Sequence, residues 1–286
     1  MENTRKQGLV LEGGAMRGLF TAGVMDVLME NGIVFDGIVG VSAGAAFGCN
    51  YKSGQIGRVL RYNTTYCQDW RYCSFRSLIK TGDLYGADFC YHELPEQLDL
   101  FDDEAFQKNP ADFYAVCTDC ESGEPVYKKI QSAQYTDLEW IRASASMPLV
   151  SRIVDINGQK LLDGGIADSI PLRFMENSGY ANNVVVLTQP RSYRKKKNSL
   201  LPLMKLALKK YPKVVDAMAR RHINYNETLA YIRKQEQEGK VFVISPDEKL
   251  DIGRTEKDPD KLRAVYAIGR KAAEAKLGEL KRFLHQ

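Results

Sequence analysis

The chain has 286 residues, 44% of them hydrophobic and 27% charged, with a formal net charge of +4. This is ordinary globular composition, enough for one large domain or a domain with an extension, and it excludes disordered and fibrous chains. No window approaches the roughly 18 uninterrupted apolar residues of a spanning helix. Met1 to Gln7 is polar and runs directly into Gly8-Leu9-Val10-Leu11 without a signal-peptide core, so the expected location is cytoplasmic.

In chain order, Gly8 to Glu12 is a short apolar run stopped by a glycine pair, which reads as a buried strand. Leu19, Phe20, Val24, Val27 and Leu28 recur at helical spacing, with Gly32 as a stop. Ile38-Val39-Gly40-Val41 is a second buried strand, followed by small residues (Ala43 to Ala46, Gly48) that can open a helix. Strand, helix, strand, helix predicts a βαβ unit and a largely parallel sheet. Residues 56–110 carry mixed helix and loop signals that assign no element. Phe113 to Cys117 and Val126 to Ile130 predict a hairpin across Glu121-Ser122-Gly123-Glu124-Pro125. Thr136 with Glu139 has the form of a capping box, predicting a helix through about Ser146. Val184 to Leu187 and Val241 to Ile244 are further strands, and Pro259 to Leu284 is helix-like.

Six cysteines (Cys49, Cys67, Cys73, Cys90, Cys117, Cys120) are too sparse for a disulfide framework and fit a reducing compartment. Only Cys117 and Cys120 form C-x-x-C. With no second pair, a structural role is expected for both. Cys49 is expected to be a small core residue.

Gly40-Val41-Ser42-Ala43-Gly44 matches G-x-S-x-G where a strand should end and a helix begin. A nucleophilic serine on such a turn is lifted out of the sheet, the flanking positions must be small, and the following helix aims free amides at the same point. Gly13-Gly14-Ala15-Met16-Arg17-Gly18 follows the first strand, and a glycine-rich strand-to-helix loop gathers backbone amides around an anion. A nucleotide pyrophosphate fits poorly: Ala15 replaces the middle glycine, and Asp36 precedes the second strand instead of ending it. The oxyanion of acyl transfer is the favoured occupant. The three histidines (His92, His222, His285) lie outside any strand-end, glycine-rich setting, so a Ser-His-Asp triad is not expected. Leu161-Leu162-Asp163-Gly164-Gly165 offers a carboxylate at a strand end. An ordinary Asp-Gly turn reads the same way.

Together these three segments, with the small-residue stretch Ala143-Ser144-Ala145-Ser146-Met147-Pro148, resemble the patatin-like phospholipase family over roughly residues 8–190. The resemblance implies a three-layer α/β/α sandwich with a mostly parallel central sheet. It implies a Ser-Asp dyad, with Ser42 as nucleophile and Asp163 as base, acting through an acyl-enzyme on lipid esters. Gly13, Gly14, Ala15 and Met16 would supply the oxyanion hole, and Arg17, Gly18, Gly40, Gly44, Gly164 and Gly165 would support the motifs. No metal or organic cofactor is needed. Ala15 departs from the family's usual third glycine, which strains the loop if that position requires φ > 0. Two alternatives stand beside this one: a general carboxylesterase on small esters, and a non-catalytic anion- or nucleotide-binding protein.

The expected organisation is a catalytic core over 1–189 and a basic, mainly helical extension over 190–286, whose strand near 241–244 packs back on the core. Between Pro190 and Arg221 stand eleven Lys and Arg against one acid, Asp216. Leu200, Leu201, Leu203, Met204, Ala207 and Leu208 accompany Lys205, Lys209 and Lys210 as a basic amphipathic stretch. It predicts either a solvated helix packed on the core or peripheral contact of 191–221 with an anionic membrane. Nucleic acid is not expected, because no recognised binding module accompanies the charge.

Overall fold

The computed structural model describes residues 6–285. An eight-stranded sheet is built from β1 (Lys6–Leu11), β2 (Gly37–Val41), β3 (Asp112–Asp119), β4 (Pro125–Lys129), β5 (Val154–Ile156), β6 (Gln159–Asp163), β7 (Tyr180–Val186) and β8 (Val241–Ile244), in the order β5-β6-β3-β2-β1-β7-β8, with β4 also on β3. The pairs β3–β2–β1–β7–β8 are parallel, and β4, β6 and β5 are antiparallel to their partners.

Side chains alternate between two cores, because successive strand residues point to opposite faces. Leu9, Leu11, Ile38, Phe113, Val184 and Val186 face one core. It is closed by α1 (Gly18–Glu30), α2 (Ala43–Lys52), α3 (Arg58–Tyr66), α6 (Tyr135–Ser144) and α10 (Pro259–Leu284). Val10, Val39, Val41, Val185 and Val243 face the other, under α7 (Leu172–Asn177) and α9 (Pro212–Gln237). The result is a three-layer α/β/α sandwich. Its central strands are covered on both faces, which is why they read as continuous apolar runs rather than alternating ones. β8 extends the sheet beside β7, with Val184 opposite Phe242. α10 crosses α1 closely: a Cβ on Gly23 would stand 2.1 Å from the Tyr266 carbonyl oxygen, and one on Gly269 2.0 Å from that of Phe20.

Strand order reverses at β1, since β2 and β3 follow on one side while β7 and β8 lie on the other. In such sheets the crevice at the carboxyl ends beside the reversal is where ligands bind. The glycine-rich loop and the Ser42 turn both leave from those ends. Asp36 lies at the opposite end, where its carboxylate accepts the Gln7 amide at 2.7 Å, so it is in no position to meet a ribose beside the glycine loop.

Two expectations from the sequence fail locally. The capping box at Thr136 does not form. α6 starts at Tyr135 with Gln134 as its N-cap and no side-chain cap, and Asp137 is engaged by the Gln131 and Ser132 amides at 2.8 and 3.0 Å. The basic stretch after Pro190 is not one amphipathic helix. It is an irregular segment, then α8 (Leu201–Ala207), then the start of α9. α8 buries Met204 and leaves Leu203 and Leu206 exposed. Residues 56–110 form α3, α4 (Phe75–Thr81), a π-helical segment (Phe89–Leu98) and α5 (Asp103–Lys108).

Candidate active site

Ser42 occupies the sharp turn between β2 and α2 with φ 56° and ψ −122°, a region that non-glycine residues enter only under constraint. The constraint is visible. A Cβ on Gly40 would lie 2.3 Å from the Gly44 carbonyl oxygen, and one on Gly44 2.3 Å from that of Leu11, so both flanks of G-x-S-x-G are backbone contacts closed to any side chain. The Ser42 amide donates to Ser144 Oγ at 2.9 Å, and Ser144 donates in turn to the Val116 carbonyl at 2.6 Å.

Sheet register brings the carboxylate to the serine. β2 ends with Val41 opposite Val116, and β6 ends with Asp163 opposite Cys117, so both strands deliver their last residues to the same point on β3. Asp163 is buried, and its Oδ1 accepts the Gly165 amide at 2.7 Å. Its main chain is held at both polar groups: the amide donates to the Ser146 carbonyl at 2.8 Å, and the carbonyl accepts from Thr118 Oγ1 at 2.8 Å. Burial pushes the Asp163 pKa above that of an ordinary aspartate. The Arg221 guanidinium, the nearby Ser42 hydroxyl, the Gly165 amide and Arg254 oppose the rise without cancelling it.

The glycine-rich loop lies against this pair. A Cβ on Gly13 would meet the Ser42 Cβ at 2.8 Å. Among the described residues, the amides of Gly13, Gly14, Ala15 and Met16 have no acceptor, and neither do those of Ala43 and Gly44 at the start of α2. Ala15 has φ 50°, so the position where alanine replaces glycine does require the left-handed region. Arg17 closes the 3₁₀ turn Ala15–Arg17 and points its side chain to the cavity wall. Gly18 opens α1, packed against Phe47.

Ser42 stands on the wall between two cavities. One, of about 1040 Å³ including its mouth, is apolar and is lined by Phe47, Tyr62, Leu94, Phe106, Leu138 and Ile141, among others. The other, of about 680 Å³, is polar and holds Glu12, Arg17, Asp163, Lys195, Arg221 and Arg254. Met147 lines both. Among the described residues no histidine lines either cavity. His92 stacks on Tyr135, with ring centroids 4.5 Å apart, and meets Glu139 at 3.1 Å. Cys117 and Cys120 are buried in different cores, and Cys49 is a buried thiol whose pKa burial raises to about 11, all three fitting packing roles. No helix of the described residues is long and apolar enough to cross a membrane.

Ser144, Ser146 and Thr118, which fix the backbone of the pair, are not identifiable from motif spacing; the small-residue run before Pro148 is their only trace in the sequence. Lys195, Arg221 and Arg254 were invisible as site residues, since nothing in their local sequence points to a cavity.

A family model described as patatin-like phospholipase matches residues 9–175, and one described as a domain of unknown function (DUF6363) matches residues 211–285. The chain is 28% identical over 271 residues to the uncharacterized protein YjjU of Escherichia coli, covering 92% of this chain and 74% of that protein. It is 30% identical over 181 residues to the lysophospholipase nte1 of Aspergillus oryzae and 31% identical over 180 residues to lysophospholipase NTE1 of Kluyveromyces lactis. These matches cover 61% and 60% of this chain but only 11% and 12% of those much longer proteins. The solved structure of VipD from Legionella pneumophila aligns with a TM-score of 0.47 and 12% identity, over 96% of this chain and 67% of that one.

The positive φ at Ala15 leads to a direct expectation. Ala15→Gly relieves a left-handed alanine, which costs about 1–2 kcal/mol. It should raise Tm in a thermal melt by a few degrees while leaving turnover at or above the parent value, and a lower Tm would show that the loop is not strained. With a matched region spanning more than half its length, the chain belongs to the patatin-like phospholipase family, a family of lipid-ester hydrolases.

Proposed function

We propose that this protein is a serine acyl hydrolase that cleaves lipid esters of the phospholipase A or lysophospholipase type through a Ser42–Asp163 dyad. The observation that carries the reading is the position of Ser42 between an apolar cavity and a polar one. An ester of a long acyl chain with a polar alcohol can lie across that wall, its tail on one side, its headgroup on the other and its carbonyl at the hydroxyl. The volume and apolar lining of that cavity favour this over a small-ester carboxylesterase.

In the proposed reaction Ser42 Oγ attacks the ester carbonyl carbon while Asp163 takes its proton. The tetrahedral oxyanion is held by the free amides of the Gly13–Met16 loop, each such donor being typically worth about 2.7–4 kcal/mol. The C–O bond to the alcohol breaks, and the alcohol leaves with the proton from Asp163. Water then attacks the acyl-enzyme, gives its proton to Asp163 and frees the acid, and Ser42 recovers its proton. The raised Asp163 pKa brings the carboxylate closer to the hydroxyl it must deprotonate.

The chain is read as a catalytic core over 1–189 roofed by residues 190–286, which supply Lys195, Arg221 and Arg254 to the polar cavity. The membrane is the proposed partner surface. Leu200, Leu203 and Leu206 are exposed on and beside α8 in the company of Lys205, Lys209 and Lys210. Met204 of the same helix belongs to a buried cluster against which Leu149 and Ile153 pack, in the segment that carries Met147 to the site. Exposed apolar groups set among lysines suit an anionic lipid interface.

Activity, thermal stability and vesicle binding test these readings. Ser42→Ala should abolish hydrolysis of a long-chain lysophospholipid, and Asp163→Asn should lower it about 10²–10⁴-fold; full activity in either variant overturns the dyad. Because the base must be ionised, activity should fall on the acid side through a pKa above an ordinary aspartate's 3.8. A raised folded-state pKa stabilises the protein below the unfolded pKa, and that contribution is lost as pH rises through the folded one. Asp163→Asn should therefore raise Tm at neutral pH, and the gain should vanish in acid. In vesicle co-sedimentation, Leu203→Ser with Leu206→Ser should weaken binding to anionic vesicles several-fold, whereas equal binding of parent and variant would place the contact elsewhere.

A further inference from the structure

We infer that the polar cavity beside Ser42 is a site for an anionic phosphate-ester headgroup, and that Lys195, Arg221 and Arg254, all outside the residues matched to the phospholipase family, select that headgroup over phosphocholine. The inference rests on the hydrolase reading for its lipid and on the cavity alone for its charge.

Arg17, Lys195, Arg221 and Arg254 face two carboxylates, Glu12 and Asp163, across this cavity. Neither carboxylate neutralises them by direct contact. Glu12 is spent on the Thr188 amide at 2.7 Å and the Tyr225 hydroxyl at 2.6 Å, and Asp163 Oδ1 on the Gly165 amide. Among the described residues none of the four cations forms an ion pair or donates a side-chain hydrogen bond, and the Nε atoms of Arg17 and Arg221 are buried without a partner. Buried donors left unpaired are costly, so a cavity holding two of them is shaped for an acceptor that arrives from outside.

These cations are also positioned. The Asn226 side chain accepts from the Lys195 amide at 2.9 Å and donates to the Lys195 carbonyl at 3.0 Å, pinning that irregular segment to α9. Arg221 can lie against Gly165 because that residue has no side chain: a Cβ there would lie 2.9 Å from the guanidinium. The Arg254 carbonyl accepts from the hydroxyl of Tyr85, which lines the apolar cavity, so one contact ties the two cavities together. Burial and the neighbouring guanidinium of Arg221, partly offset by Glu12, lower the Lys195 pKa to about 8, as expected where positive charge awaits a counter-ion.

The aromatic groups exclude choline. A quaternary ammonium is held by aromatic faces, and the candidates here are Tyr193 and Tyr225. Lys195 Nζ already sits 4.3 Å over the Tyr225 ring and 5.9 Å over that of Tyr193. A second cation would meet an occupied cage and like charge, whereas phosphate oxygens can accept from guanidinium forks in charge-assisted pairs.

The test measures affinity on Ser42→Ala protein, so that the headgroup is read without turnover and independently of the dyad. Three lipids of one acyl chain are compared: 1-acylglycerol 3-phosphate, 1-acylglycerophosphocholine and neutral 1-acylglycerol. The expected Kd for the glycerophosphate lipid is at least about tenfold below those of the other two, the scale of one charge-assisted contact. Rising salt should shrink the gap, and Arg254→Gln or Lys195→Gln added to Ser42→Ala should close most of it while the neutral lipid's Kd changes little. Arg254 is exposed, so its variant tests the point even if the Lys195 variant fails to fold. Equal affinities, or preference for phosphocholine, would overturn the inference. Inorganic phosphate is the second probe. Displacement of the glycerophosphate lipid only at millimolar phosphate assigns the site to a lipid-borne headgroup, and tight binding of phosphate alone, without preference among the lipids, overturns it.

Discussion

The structure depends on how two strands end against β3. β2 stops opposite Val116 and β6 stops opposite Cys117, one residue further along, so a serine and an aspartate separated by 120 intervening residues arrive at one place. The backbone at that place is strained at Ser42 and held by a short relay, from the Ser42 amide to Ser144 Oγ to the Val116 carbonyl. Ser146 and Thr118 do the same for Asp163. A rigid sheet and small-residue packing thus set geometry that a flexible loop could not hold to the few tenths of an ångström that acyl transfer needs.

What the site can act on follows from its two unlike sides. The apolar cavity is walled by segments between β2 and β3 and by α6, and the polar one is closed by residues from α9 and the loops around it. Asp163 lies where these environments meet. It is buried deeply enough for its pKa to rise, yet close enough to Arg221 and Arg254 for the rise to be limited. Arg221 and Arg254, which line the polar cavity, therefore also adjust the proposed base through ordinary electrostatics.

Much of the fold was legible because it rests on local patterns. The buried strands at Gly8, Ile38 and Val241, the hairpin around Gly123 and the long final helix follow from apolar runs and turn residues, and the serine turn from glycines that steric contact demands. Residues 56–110 were illegible because their apolar side chains line a cavity instead of forming one stripe, and a π-helical segment containing Pro95 breaks the 3.6-residue period. The capping box at Thr136 failed because Asp137 offers its carboxylate to the preceding loop. The charge of residues 190–221 was visible but its direction was not. Lys195 and Arg221 turn into the cavity and Arg191 pairs with Glu236, and such choices depend on tertiary neighbours that no window of sequence contains.

The central claim is that Ser42 is activated by Asp163. Its most direct test is covalent labelling by a fluorophosphonate, followed by mass mapping of the modified peptide. The account predicts a single adduct at Ser42, formed at least about a hundredfold more slowly when Asp163 is replaced by Asn. An adduct at another residue, or unchanged labelling of the Asp163→Asn protein, would contradict it.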